Sequence, residues 1–242
     1  MKKKLTYCLI AGVAFFLLFL ILTVLVKTVD VKPVTVKGPE VETGERAKET
    51  ILIGLKRINH KVFRTFGVNK PWYVITEVLG VVAILVAAAF AVIGVVQLIK
   101  RKSLLKVDRP ILILGVFYVI VILFYLLFEV VKVNYRPIMP EGVLEASYPS
   151  SHTMMTVFVM LTAIVVLHRM FSEKKVLTLV LDCVLLVIAG LTAAGRLVCG
   201  YHWFTDIVAG GLLSLSLTAF YCAALYFFEP KETPEKPALS EE

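Results

Sequence analysis

Six long apolar runs limit this chain to one kind of architecture. They cover residues 5–26, 72–99, 110–131, 153–167, 176–194 and 207–228. A helix needs about 20 apolar residues to cross the hydrocarbon layer. The fourth run is the shortest and is expected to gain a turn of polar residues at its outer end. Backbone polar groups in lipid must be satisfied internally, so only helices or closed barrels cross a bilayer. Runs of this length read as membrane-spanning helices. The predicted fold is therefore all-α, a six-transmembrane-helix bundle. Hydrophobic residues make up 59% of the chain and the mean hydropathy is +0.86, above the roughly half that soluble domains carry. The first run follows Lys2, Lys3 and Lys4 and is longer than the about 7–15 residues of a signal-peptide core. With no small-x-small cleavage site after it, it reads as a retained helix.

The segment 27–71 is the longest that does not span. Lys32-Pro33 and Gly38-Pro39 break its first part. Further on, Ile51, Leu55, Ile58, Val62 and Phe66 recur at steps of three and four. Lys48, Lys56, Arg57, Lys61 and Arg64 fall largely between them. This predicts an amphipathic helix with a basic face, either lying in the headgroup layer or packed on the rim of the bundle. The short loops carry Lys2–Lys4, Lys100–Arg109 and Arg169–Lys175, and six spans put all three on one face. The positive-inside rule makes that face cytoplasmic. The polar stretches 132–152 and 196–206, and the amphipathic helix, then lie outside. The expected domains are an integral membrane unit over 1–228 and a disordered cytoplasmic tail over 229–242, rich in Glu, Lys and Pro.

The formal net charge of +8 serves topology and contact with anionic lipid headgroups in a protein of this kind. No basic–aromatic patch points to nucleic acid. Cys8, Cys183 and Cys222 lie in apolar runs, and only Cys199 is near a polar loop. No CxxC pair or Cys/His spacing suggests a disulfide framework or a zinc site.

The two polar stretches hold the reactive side chains. His202 and Asp206 are four residues apart and share a helix face if the sixth helix starts at or before His202. A carboxylate beside an imidazole fixes its tautomer and stabilises its cation. Arg136 and Arg196 could clamp a phosphate, because forked guanidinium donors match its oxygens. Ser150, Ser151 and the amides around them open an apolar helix, a ready anion site, and His152 sits at the same terminus. Each feature has an ordinary reading: an interfacial Arg-Pro, a Pro-Ser-Ser cap, a structural His–Asp pair. Their convergence on one membrane face favours chemistry.

In order, Arg136-Pro137, Pro149-Ser150-Ser151-His152 and Arg196…His202…Asp206 resemble the signature of the type 2 phosphatidic acid phosphatase superfamily: Lys-x6-Arg-Pro, Pro-Ser-Gly-His and Ser-Arg-x5-His-x3-Asp. Three positions depart from it. Glu129 stands at the motif lysine, Ser151 at the glycine and Gly195 at the serine before Arg196. Lys132 is the candidate substitute cation, because Glu129, Lys132 and Arg136 fall at helical steps. The resemblance implies a metal-independent enzyme without cofactors, acting on a membrane lipid phosphate or pyrophosphate. It makes His202 the nucleophile of a phosphohistidine intermediate, Asp206 its orienting carboxylate and His152 the proton donor. Arg136, Arg196, Ser150, Ser151 and, provisionally, Lys132 would hold the phosphoryl oxygens. The lysine-rich start and lack of organelle signals suit a bacterial plasma membrane, with the site extracytoplasmic.

A lipid-dependent phosphotransferase would use the same motifs. A non-catalytic anion-binding or transport protein is the other class, and it would need broken helices and a polar midplane path. Asp182, within the fifth span, needs a polar partner. Glu77 and Glu129 lie nearer the outer face, where they could tune a site.

Overall fold

The computed structural model describes residues 2–40 and 46–229. Among them six helices are long and apolar enough to cross a membrane: α1 (Lys2–Thr28), α3 (Lys70–Arg101), α4 (Arg109–Val130), α5 (Ser151–Met170), α6 (Lys175–Val198) and α7 (Phe204–Phe227). The bundle and its six spans are as the apolar runs predict. The helices overrun the runs by a few residues, because polar side chains at each end continue the backbone ladder into the headgroup zone. The expected tail beyond residue 229 lies outside the described residues.

α5 and α7 form the inner pair and bury half of their apolar windows, whereas α1, α3 and α4 bury far less and turn most of their surface outward. α1 packs along α7, where Ser216 donates to the Gly12 carbonyl at 2.9 Å. Phe158 and Leu213 are fully buried on the inner pair, and Phe19 of α1 closes over them. A second core, with Met160, Ala163 and Leu114, fills the other end of the bundle. There Asp182 finds its partner in His168, with Nε2 2.6 Å from Oδ2.

The segment between α1 and α3 corrects the sequence reading. Only its second part is helical, as α2 (Lys56–Phe66). Before it stands an antiparallel hairpin of β1 (Lys32–Glu40) and β2 (Arg46–Ile53), with Val34 opposite Ile51 and Lys32 opposite Ile53. Ile51 belongs to the strand: Ile51 and Ile53 are buried while Leu52 is 66% exposed, the period of two that marks a one-sided strand. Leu55, at φ 48°, turns the chain from strand into helix. Ile58 and Phe66 remain exposed on α2, as on a helix riding in an interfacial layer.

Hairpin and α2 are fastened to the polar end of the bundle. The Met139 amide donates to the Lys37 carbonyl at 3.1 Å. Val36, Ile51 and Ile53 enclose Met139 and Trp203. Asn59, the buried side chain of α2, donates to Thr205 Oγ1 at 3.0 Å and accepts from the Thr205 amide at 3.1 Å. The surface helix thus satisfies part of the exposed N-terminus of α7.

Candidate active site

The two polar stretches meet at this end. α4 stops at Val130, and residues 131–150 run back to α5 as a folded loop in which the Arg136 amide donates to the Glu145 carbonyl at 3.1 Å. α6 ends at Val198, and a turn through Gly200 leads to α7. Gly200 has φ 73°, and a Cβ there would lie 1.9 Å from the Gly67 carbonyl oxygen, so only glycine fits.

His202 precedes α7 by two residues, so it does not share a helix face with Asp206 as its spacing allowed. Its Nδ1 lies 3.1 Å from the Ser147 carbonyl oxygen and 3.2 Å from Ser147 Oγ. A carbonyl can only accept, so Nδ1 carries the hydrogen and Nε2 keeps its lone pair. Nε2 is buried and has no hydrogen-bond partner. Asp206 Oδ2 is 3.9 Å from Nδ1, too far for a direct bond. Ser147 Oγ donates to that oxygen at 2.5 Å and joins the two residues. The Trp203 amide at 2.9 Å and, more distantly, Asn134 Nδ2 at 3.5 Å also donate to the carboxylate. Burial, and then the charges of Arg136, Arg196 and His152, hold the His202 imidazole well below its ordinary pKa of 6.5.

Arg196, 1% exposed, donates from Nη2 to Glu77 Oε1 at 2.7 Å and keeps Nε and Nη1 without partners. His152 Nε2 meets Glu77 Oε2 at 3.3 Å. Arg136 Nε is 3.1 Å from Glu145 Oε2, but its N–H does not point along that line, so the contact is an ion pair without an aligned hydrogen bond. Arg136, Ser151 and His202 line one narrow cleft, with Glu129, Phe128 and Tyr125 of α4 on its other wall.

Two candidates stand apart from this cluster. Ser150 is fully buried as the N-cap of α5. Its Oγ accepts from Thr153 Oγ1 at 3.1 Å, and its amide donates to the Asp206 carbonyl at 2.9 Å. Only its hydroxyl hydrogen is uncommitted. Lys132 lies past the end of α4, so it shares no helix face with Glu129 and Arg136. It is exposed, with its ammonium over the Tyr135 ring at 5.8 Å. Glu129 does line the cleft.

Gly195, the departure at the motif serine, has a packing cause. A Cβ there would lie 2.5 Å from Thr76 Cγ2 and 3.0 Å from Trp72 Cε3. α3 leaves no room for any side chain. Ser147 and Asn134 were not singled out by sequence reasoning. Their signal was only position, Asn134 two residues before Arg136 and Ser147 three before Ser150. Among the described residues no three His, Cys, Asp or Glu side chains converge as a metal cage.

No curated protein matches the chain. Among solved structures, it is similar to a transmembrane PAP2-type phosphatidylglycerolphosphate phosphatase from Bacillus subtilis. The identity is 19% and the TM-score 0.55, over 92% of this chain and 98% of that one, a likeness of fold. The model of the PAP2 superfamily matches residues 80–229, which contain every motif residue of the cluster just described. By its motifs, its six-helix bundle and that match over most of its length, the chain belongs to the PAP2 superfamily.

Proposed function

We propose that the protein is a membrane phosphatase that hydrolyses a lipid phosphate or lipid pyrophosphate through a phosphohistidine on His202. The observation that carries this reading is the state of that side chain: Nδ1 held by the Ser147 carbonyl, Nε2 bare, and Arg136 lining the same cleft. A neutral imidazole with a fixed tautomer is a prepared nucleophile. Nε2 attacks phosphorus as the P–O bond to the leaving group breaks, and His152 gives that oxygen a proton. Asp206, through Ser147, balances the positive charge that forms on the ring. Arg136, Arg196 and the Ser151 terminus of α5 hold the phosphoryl oxygens. Water, giving a proton to His152, then attacks phosphorus, and the P–N bond breaks to return its electron pair to His202 Nε2 and release phosphate. No step calls for a metal ion.

A lipid substrate fits a cleft walled by Phe128 and Tyr125 of a membrane helix. It also fits the cations Lys56, Arg57, Lys61 and Arg64 around an open groove on α2, which favour anionic headgroups. Phosphatidic acid, phosphatidylglycerophosphate and undecaprenyl pyrophosphate are the candidates. The basic short loops favour a site on the extracytoplasmic side, and the lysine-rich start suits a bacterial plasma membrane.

The test is phosphate release from these lipids by the detergent-solubilised protein and its His202→Ala variant. Wild-type protein should release phosphate and form an acid-labile phosphoenzyme, and the variant should do neither. Unchanged release by the variant would reject His202 as nucleophile.

A further inference from the structure

The most deeply buried cation of the site is held by a residue that belongs to none of the motif stretches. Glu77, on α3, offers one carboxylate oxygen to Arg196 at 2.7 Å and the other to His152 at 3.3 Å. Tyr73, one turn earlier, lies beneath the Arg196 guanidinium at 5.4 Å. Gly80, one turn later, leaves the His152 ring resting on bare backbone, since a Cβ there would lie 3.0 Å from His152 Cδ2. One face of α3 therefore positions both the expected proton donor and an expected phosphate clamp.

We propose that Glu77 is a positioning residue for phosphoryl transfer, keeping His152 ready to donate its proton and Arg196 aimed at the phosphate. This rests on the phosphatase reading above. A carboxylate beside a phosphate site repels the substrate, so it needs a compensating role. At Arg196 it engages Nη2 alone and leaves Nε and Nη1 for phosphoryl oxygens. At His152 the groups that face the ring are Arg196 from α6, Arg136 from the 131–150 loop, His202 from the turn before α7 and Glu77 from α3. Glu77 is the one anion among them, and its charge favours the imidazolium that burial and the guanidiniums disfavour. When the P–O bond breaks, its electron pair goes to the leaving oxygen, which takes the His152 proton. The ring becomes neutral and Glu77 stays ionised.

The test uses the full chain in detergent and two substrates: a short-chain dialkyl phosphatidic acid, whose alkoxide must be protonated, and an aryl phosphate, whose phenolate leaves unaided. Glu77→Gln keeps the shape and removes the charge. Its kcat on the alkyl substrate should fall by about 30-fold or more, within the range general acid catalysis supplies. On the aryl substrate kcat should fall less, by about tenfold less than on the alkyl one, because a misaimed Arg196 slows both substrates and a missing proton only the alkyl one. Glu77→Asp, which keeps the charge at shorter reach, should recover part of the alkyl rate. If Glu77→Gln fails to fold, the alkyl-to-aryl ratio of Glu77→Asp decides, and it should be depressed below wild type. Equal losses on both substrates, or an unchanged alkyl kcat with a lower KM, would overturn the assignment, the latter making Glu77 a mere competitor of phosphate. A wild-type protein inactive on both substrates would remove the phosphatase reading and this one together.

Discussion

Ser147 stands between His202 and Asp206. Its Oγ is 2.5 Å from the carboxylate and 3.2 Å from Nδ1, while carboxylate and imidazole are 3.9 Å apart. The aspartate therefore reaches the histidine through a hydroxyl, and the histidine tautomer is set by the Ser147 backbone carbonyl.

Ser147→Ala keeps that carbonyl and removes the hydroxyl. A hydrogen bond to a charged group contributes about 1.5–3 kcal/mol, so kcat should fall roughly 10- to 100-fold, at 1.36 kcal/mol per tenfold. KM should change little, because the hydroxyl is committed to Asp206. Steady-state kinetics on an aryl phosphate would check this, and an unchanged kcat would show that the hydroxyl is idle.

The pH profile follows from His202. Burial and its cationic neighbours hold its pKa well below 6.5, and in the proposed mechanism the neutral ring is the active form. Activity should persist below pH 6.5 and fall only as acid finally protonates Nε2. Arg136→Gln removes one of the opposing charges, which eases protonation, so the acidic limb of kcat/KM should move to higher pH. A limb that stays in place would mean that it reports another group.

How much of this was legible beforehand depended on the scale of the signal. Spans were, because twenty apolar residues in a row have few other uses, and so were Arg136, Arg196, His152 and His202, whose types stand out against an apolar background. The hairpin was not: Ile51 fits both a helical step to Leu55 and a strand step to Ile53, and only burial decides. The join through Ser147 was hidden because a serine among polar loop residues carries no mark. Glu77 was visible as a charge near the outer face, but its two partners come from helices far away in sequence. The helical step from Glu129 to Lys132 failed because α4 ends between them.

Lys132 is therefore expected to matter little. With its ammonium over Tyr135 and exposed to solvent, Lys132→Ala should change kcat/KM by less than about threefold, as for a screened surface charge. A loss of a hundredfold or more would instead make it the missing motif cation, reached by movement of the 131–150 loop on substrate binding.

Restoring the motif serine at Gly195 should do harm. With Thr76 Cγ2 2.5 Å from the new Cβ, overpacking should cost about 1–3 kcal/mol. Gly195→Ser should lower the thermal midpoint in detergent, and Gly195→Ser combined with Thr76→Ser should regain part of it. An unaltered midpoint for the single variant would mean that α3 can yield there.

Asn59 ties the outer surface to the catalytic helix. Its one amide group both gives to and takes from Thr205, the residue next to Asp206. A force that lifts α2 away from the bundle must tear both bonds or drag the start of α7 along with it. Displacing α2 therefore disturbs the residue beside Asp206.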